Sequence, residues 1–336
     1  MQHRTLGRSG LSVGRLCLGA MMFGGQADAA ESRRIIARAA EAGVNLIDTA
    51  DVYNAGRSEE VVGEAIAGQR DRWVLATKLG NRMGEGPNRS GLSPVWMHRA
   101  VEGSLRRLGT DHLDILYLHR EDPATPLEVT VAALGDLIRA GKIRHFGVSN
   151  VRAWRIAALC GLCDRMGVDR PVASQPLYNA LNRQAEREEL PAAAAHGLGI
   201  LPYSPLARGV LAGKYRPGEA PPEGSRAARQ DRRMLEVEWR PESLEIAQTI
   251  RAHAEARGGT AVSFAIAWVL ANPLVTGTIL GPRTEAQLAD YLAALNWRWS
   301  AEDEALVERL VPAGHPSTPG WNDPQYPVEG RPVGGG

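Results

Sequence analysis

The 336-residue chain is 44% hydrophobic and 23% charged, and its 39 basic against 38 acidic side chains leave a formal charge of +1. That balance argues against a nucleic-acid or acidic-membrane binder, and no apolar run approaches the ~20 residues that a membrane-spanning helix requires. Three cysteines, an odd number in so long a chain, exclude a disulfide scaffold and fit a reducing cytoplasm, and the polar residues 1–10 lack the apolar core of a secretory signal.

Residues 1–14, with Gly7 and Gly10, read as a small hairpin. From there short apolar runs alternate with longer runs of helical spacing. In chain order they are 16–19 then 31–42, 44–48 then 59–67, 73–78 then 97–108, and 113–118 then 129–140. They continue as 143–148 then 154–166, 172–175 then 187–195, 200–203 then 244–256 with a further helix at 261–270, and 276–280 then 285–295. Gly109, Gly141 and Gly167 follow the ends of three of the helical runs, where glycine is favoured. Ser58-Glu59-Glu60 reads as a cap with early negative charge.

Short runs alternating with amphipathic helices predict parallel strands with crossover helices. Eight of them predict one α/β domain over 1–336, a (β/α)8 TIM barrel whose strands and accessory helices occupy 15–311. A doubly wound open sheet is the competitor. It would show G-x-G-x-x-G after its first strand, and Gly19-Ala20-Met21-Met22-Phe23-Gly24-Gly25 does not match. Two stretches break the rhythm. Residues 215–240, rich in Pro, Gly and Arg, form a long loop after the seventh strand, of the kind that serves as a lid. Residues 312–336, ending in Gly334-Gly335-Gly336, read as an irregular tail draped over the fold.

Barrel active sites form at the C-terminal ends of the strands. The polar residues there are Asp48 (with Asp51 and Tyr53 in the loop beyond), Thr77 and Lys78, His119, Ser149 and Asn150, Gln175, Tyr203 and Ser204, and then Arg283 after Gly281. A lysine ending an apolar run needs a partner, and Asp48 on the neighbouring strand supplies one. The ammonium beside Tyr53 is expected to lower the phenol from about 10. Such a phenol can give or take a proton, while His119 offers an N–H to orient a carbonyl oxygen. Together these groups can move a proton onto a carbonyl oxygen while something else delivers hydride. Protein side chains cannot supply hydride, so a nicotinamide cofactor is implied.

Blander readings stand beside these. His119 alone would read as a structural histidine. Asp48, Asp51 and His119 could ligate a metal, but Lys78 among them would repel a cation, so no metal is expected. Cys160-Gly161-Leu162-Cys163 has redox-motif spacing but lies inside an amphipathic run, and reads as core. Residues 226–233 are locally basic and read as a mostly solvated loop, His145 as structural, and the tryptophans as packing, with Trp239 or Trp321 available to face a substrate.

The chain resembles an aldo-keto reductase over nearly its whole length. The resemblance is carried by Leu46-Ile47-Asp48-Thr49-Ala50-Asp51-Val52-Tyr53, Thr77-Lys78, Leu116-Tyr117-Leu118-His119 and Gly147-Val148-Ser149-Asn150. It continues in Gln175-Pro176-Leu177-Tyr178-Asn179, Tyr203-Ser204-Pro205-Leu206-Ala207-Arg208-Gly209 and Gly281-Pro282-Arg283-Thr284 with Gln287. The resemblance implies a catalytic tetrad of Asp48, Tyr53, Lys78 and His119, with Tyr53 as general acid. It implies NADPH extended across the barrel mouth, with Gly19, Ala20, Met21 and Asp48 near the nicotinamide ribose. Ser149, Asn150 and Gln175 would hold the carboxamide, and Tyr203 would stack on the ring. Ser204, Pro205, Leu206, Ala207, Arg208 and Gly209 would wrap the pyrophosphate. Lys214 and the segment ending in Ser225-Arg226 resemble the cofactor-covering loop of the branch that includes potassium-channel β subunits and bacterial aldo/keto reductases. A helix opening at Thr284 offers an anion site, and Arg283 can fork onto a 2′-phosphate, which favours NADP over NAD. Tyr291 stands where many members carry Asn, after Asp290, and so departs from the family at the adenine edge.

Two functions follow from the resemblance. One is reversible NADPH-dependent reduction of an aldehyde or ketone to the alcohol in the cytoplasm, with no nucleic-acid or membrane partner. The other is a non-enzymatic NADPH-binding regulatory subunit like the channel β subunits. The barrel pattern begins within about the first 15 residues, leaving no long N-terminal extension, which weighs toward the enzyme.

Overall fold

The computed structural model describes residues 1–328, so the Gly334-Gly335-Gly336 end of the expected tail lies outside the described residues. The chain opens with the expected hairpin, β1 (His3–Thr5) antiparallel to β2 (Ser12–Gly14). Gly7 sits at φ 51°, and a Cβ there would meet the Gly199 nitrogen and the Val172 carbonyl oxygen at 2.5 Å. Only glycine lets the hairpin come this close to the barrel floor.

The barrel strands are β3 (Leu16–Gly19), β4 (Leu46–Asp48), β5 (Val74–Leu79), β6 (Leu113–Leu118), β7 (Ile143–Ser149), β8 (Ala173–Gln175), β9 (Gly199–Ile200) and β10 (Thr278–Leu280). They form one 8-stranded parallel sheet in the order β10-β3-β4-β5-β6-β7-β8-β9. Parallel bridges Ile200–Val275 and Tyr203–Ile279 bring its two ends together, with the Ile279 N–H donating to the Pro202 carbonyl at 2.9 Å. The run expected at 200–203 is a regular strand only to Ile200, because Pro202 has no N–H for a ladder bond.

Between the strands lie α1 (Ala29–Glu41), α2 (Arg57–Ile66), α3 (Pro94–Leu108), α4 (Leu127–Arg139), α5 (Ala153–Met166) and α6 (Glu189–Ala195). The chain continues through α7 (Arg232–Val237), α8 (Pro241–Ala256), α9 (Ala261–Ala271), α10 (Glu285–Ala293) and α11 (Ala301–Leu310). Helix α7 interrupts the stretch read as loop, and α11 precedes the tail. Both carry side-chain caps, Asp231 on the Met234 N–H and a Ser300–Asp303 capping box, that periodicity alone does not reveal. Gly109 and Gly167 end α3 and α5 in the left-handed conformation, as expected. Ser58 does not cap its helix. Helix α2 starts at Arg57 after Gly56 (φ 95°), and the buried Ser58 hydroxyl donates to the Ala20 carbonyl at 2.7 Å, tying the helix to the loop after β3. Cys160 and Cys163 are buried free thiols inside α5.

Inside the barrel Cys17, Leu46, Ala76, Ile115, Tyr117 and Leu201 pack with Leu6 and Val13 of the hairpin, which plugs the N-terminal end. Burying each such large apolar side chain contributes about 1.5–3 kcal/mol. Outside, the helices pack on the strands in one larger core. Helix α2 crosses α3 at Gly63, where a Cβ would lie 2.5 Å from the backbone oxygen of Leu108. Gly63→Ala is therefore expected to destabilise the fold by about 1–3 kcal/mol through overpacking. Urea denaturation measures it, and unchanged stability would show that the two helices part freely. No helix among the described residues is long and apolar enough to cross a membrane.

Candidate active site

Strand register aligns the polar strand ends on one rim. Asp48 pairs with Gly19 and Ala76, Lys78 with Tyr117, and Ser149 with Gln175. After β4 the chain makes a tight turn over Tyr53–Gly56, with Asn54 and Ala55 at φ 48° and 55°. The Asn54 side-chain amide donates to the carbonyls of Met21 (3.1 Å) and Phe23 (2.8 Å). A turn that puts a β-carbon residue such as Ala55 in the left-handed region persists only where its surroundings enforce it, and this one fixes Tyr53 beside Lys78.

Lys78 is 1% exposed. Its Nζ donates to Asp48 Oδ2 at 2.5 Å, to the Thr49 carbonyl at 2.9 Å and to Tyr53 Oη at 3.2 Å. Burial opposes its charge, but the Asp48 carboxylate and the Tyr53 oxygen outweigh burial and hold the ammonium above its ordinary pKa. The Tyr53 phenol is raised, not lowered as expected. Burial dominates, and the pull of Lys78 offsets only part of it. The His119 ring meets the Tyr53 ring edge-on at 5.9 Å. Burial, with Lys78 and Arg120 adding to it, pushes the imidazole down to about 3, so it is neutral. Its Nδ1 is buried with no partner among the described residues.

The network extends across the barrel mouth. Asp48 Oδ1 accepts from Gln175 Nε2 at 2.9 Å, and Ser149 Oγ donates to the Gln175 carbonyl at 2.8 Å. Asn150 Nδ2 donates to Ser149 Oγ at 3.0 Å, and Asn150 Oδ1 accepts from Tyr203 Oη at 2.8 Å. Tyr53, His119, Asp48, Ser149, Asn150, Gln175 and Tyr203 thus border one cavity of about 610 Å³.

Most of the other expected residues line this cavity: Gly19, Met21, Ser204, Pro205, Leu206, Arg208, Gly209, Lys214, Arg226, Gly281, Arg283 and Gln287. Ala20 and Ala207 do not, and both are fully buried. The Ala20 N–H is spent on the Asp48 carbonyl (2.8 Å) and its carbonyl on Ser58, so its backbone is not free to meet a ribose. Lys78 lies behind the wall and reaches the cavity through Tyr53 and Asp48. The cations on the Lys214 side of the cavity crowd one another. Burial, and then Arg283, Arg226 and Arg229, lower Lys214 from its ordinary value. Arg226 pairs with Asp231 at 3.0 Å. The remaining positive charge is the physical signature of a site for phosphate groups. Thr284 caps α10 as expected, but Glu31 Oε1 already accepts the Glu285 N–H at 2.9 Å, so part of that helix terminus is occupied. Tyr291 also lines the cavity, close to the two arginines Arg226 and Arg283.

The basic stretch 226–233 is less solvated than expected, since Arg226 and Arg233 turn inward to the cavity. Arg233 grips Asp323 of the tail with two bonds, 3.0 and 2.7 Å. The tail runs over the mouth, and Gln325 and Tyr326 form part of the wall. Neither Trp239 nor Trp321 faces the cavity. Trp239 meets the Tyr215 ring edge-on at 5.1 Å, and Trp321 lies under the Arg240 guanidinium at 4.3 Å. Asn81 and Arg82 in the loop after β5 and Val52 before Tyr53 are further wall residues. The strand-end rule that found Lys78 could have reached Asn81 and Arg82. Nothing local in the sequence marks Gln325 or Tyr326.

The profile of the Aldo/keto reductase family matches residues 15–312. The chain belongs to the aldo/keto reductase family. It is 36% identical over 301 residues to a probable voltage-gated potassium channel subunit beta of Oryza sativa subsp. japonica, covering 88% of this chain and 92% of that one. It is 35% identical over 334 residues to the uncharacterized oxidoreductase YrpG of Bacillus subtilis, covering 95% and 98%. To the L-glyceraldehyde 3-phosphate reductase of Escherichia coli O157:H7 it is 32% identical over 326 residues, covering 94% and 93%. This aldo/keto reductase is an oxidoreductase of a carbonyl-reducing family whose members generally use nicotinamide cofactors.

Proposed function

We propose that this aldo/keto reductase reduces an aldehyde or ketone to the alcohol with NADPH, and that Asp48, Tyr53, Lys78 and His119 are its catalytic residues. The observation that carries the reading is the Tyr53 hydroxyl, 3.2 Å from a lysine ammonium anchored on Asp48 and bordering the cavity next to a neutral imidazole. The reduced nicotinamide, when bound, supplies the hydride. Tyr53 gives its proton to the carbonyl oxygen, and Lys78 stabilises the phenolate left behind. Asp48 holds Lys78 in place. His119, neutral throughout, donates one N–H to the same oxygen. Lys214, Arg226, Arg283 and Arg208 would receive the phosphate groups, and Ser149, Asn150 and Gln175 the carboxamide. Arg283, with a fork suited to a 2′-phosphate, favours NADP over NAD.

The test is steady-state oxidation of NADPH and NADH over a panel of aldehydes. Rapid multiple turnover with the phosphorylated cofactor supports the reading. A single slow turnover with retained product would instead support an NADPH-binding regulatory subunit, a second reading favoured by the likeness to channel β subunits. The pH profile is a further check. A raised phenol stays protonated through neutrality, so reduction should be flat from acid pH upward and fall only beyond its usual value near 10.0. The imidazole, pushed down to about 3, should leave no break at its ordinary 6.5. An inflection between pH 6 and 7 in stopped-flow reduction rates would overturn the assignment of a neutral His119.

A further inference from the structure

We propose that the carbonyl substrate carries an acidic group, a carboxylate or a phosphate monoester, which Arg82 receives at the cavity mouth. This rests on the carbonyl-reductase reading above and narrows it to a substrate class.

Strand order divides the cavity. Strand β5, which leads into Arg82, lies opposite β9, whose following segment carries Lys214 and Arg226. Arg82 instead neighbours β6 and His119, on the side where the carbonyl must sit for Tyr53 to reach it. Its guanidinium donates to the carbonyls of Gly84 (3.3 Å) and Gly86 (3.0 Å), neutral acceptors of its own loop. Among the described residues it makes no ion pair. Arg233, which reaches the cavity from the segment after β9 and acts on Tyr326, is already committed to Asp323 and Glu236. Among the described residues the one carboxylate bordering the cavity, Asp48, is spent on Lys78 and Gln175. Arg120 adds to the same sign: burial raises the Tyr326 phenol, and Arg120 draws it back.

The substrate side of the mouth therefore holds a forked cation with no anion to meet it among the described residues. A carboxylate or phosphate accepts the two parallel N–H bonds such a fork offers. A neutral aldehyde of the same length leaves the guanidinium with its loop carbonyls, so the pocket discriminates by charge.

Matched pairs test this at saturating NADPH: butyraldehyde with succinic semialdehyde, benzaldehyde with 4-carboxybenzaldehyde, and glyceraldehyde with its 3-phosphate. The acidic member is expected to exceed its neutral partner in kcat/KM by about tenfold, mostly through KM. Arg82→Ala should collapse that ratio to near unity, Arg82→Lys should restore part of it, and added salt should shrink it. The carboxylate and phosphate arms show which acid the site prefers. Neutral aldehydes reduced as well as acidic ones, or a ratio unchanged in Arg82→Ala, would overturn the inference and leave carbonyl reduction standing. Failure to reduce any pair would strike the reductase reading instead. In that case fluorescence titration of benzaldehyde and 4-carboxybenzaldehyde against the NADP+ complex reads the same ratio without turnover. Arg82 is exposed, so its variants should fold, and circular dichroism checks that they do.

Discussion

Tyr53→Phe is expected to lower the turnover number by about 10²–10⁴ while NADPH binds as before. The substitution removes one oxygen. Lys78 keeps its bonds to Asp48 and the Thr49 carbonyl, so the ammonium stays buried and paired and the fold is undisturbed. What disappears is the proton donor, the side-chain hydroxyl that meets that ammonium at 3.2 Å. Rapid-quench turnover and fluorescence titration of NADPH separate the two effects. Wild-type turnover in this variant would place the proton transfer elsewhere, and a large loss of nucleotide affinity would make Tyr53 a binding residue.

The second large effect is on stability. Lys78→Met leaves the Asp48 carboxylate inside the barrel mouth without its cation, and Asp48 is only 2% exposed. Breaking one half of a buried pair typically costs about 3–5 kcal/mol, because the remaining charge has neither water nor partner. Asp48→Asn combined with Lys78→Met removes both charges and should recover much of that loss, while activity stays absent. Urea denaturation of the two single variants and the double variant forms a cycle that isolates the coupling. Independent, additive effects would show that the 2.5 Å contact does not operate as an ion pair.

The barrel was legible because eight short apolar runs alternate with helical runs, and the candidate site because most of those runs end in or are soon followed by polar residues; both are local features. Asp48, Lys78, His119, Ser149 and Gln175 could each be found without knowing the rest of the fold. The direction of the Tyr53 shift was not legible. It depends on how much water the surrounding side chains exclude, which the neighbouring lysine does not disclose. Ala20 and Ala207 lie within stretches whose other members line the cavity, but their backbone bonds turn them inward, and a motif does not specify which of its members face a ligand. The tail was hardest to read. Tyr326 reaches the mouth because Asp323 meets Arg233 and Trp321 meets Arg240, contacts that span 90 and roughly 80 positions of sequence.

Arg233 and Asp323 also bear on how this molecule could change over evolutionary time. The wall beside Tyr53 comes partly from residues that contribute no strand and leave the barrel's hydrogen-bond ladder untouched. Mutations at Gln325 or Tyr326 can alter what is admitted at little risk to folding, whereas mutations at the strand ends endanger both. Lineages that share this scaffold would therefore diversify their diets at the tail and keep their chemistry fixed beneath it.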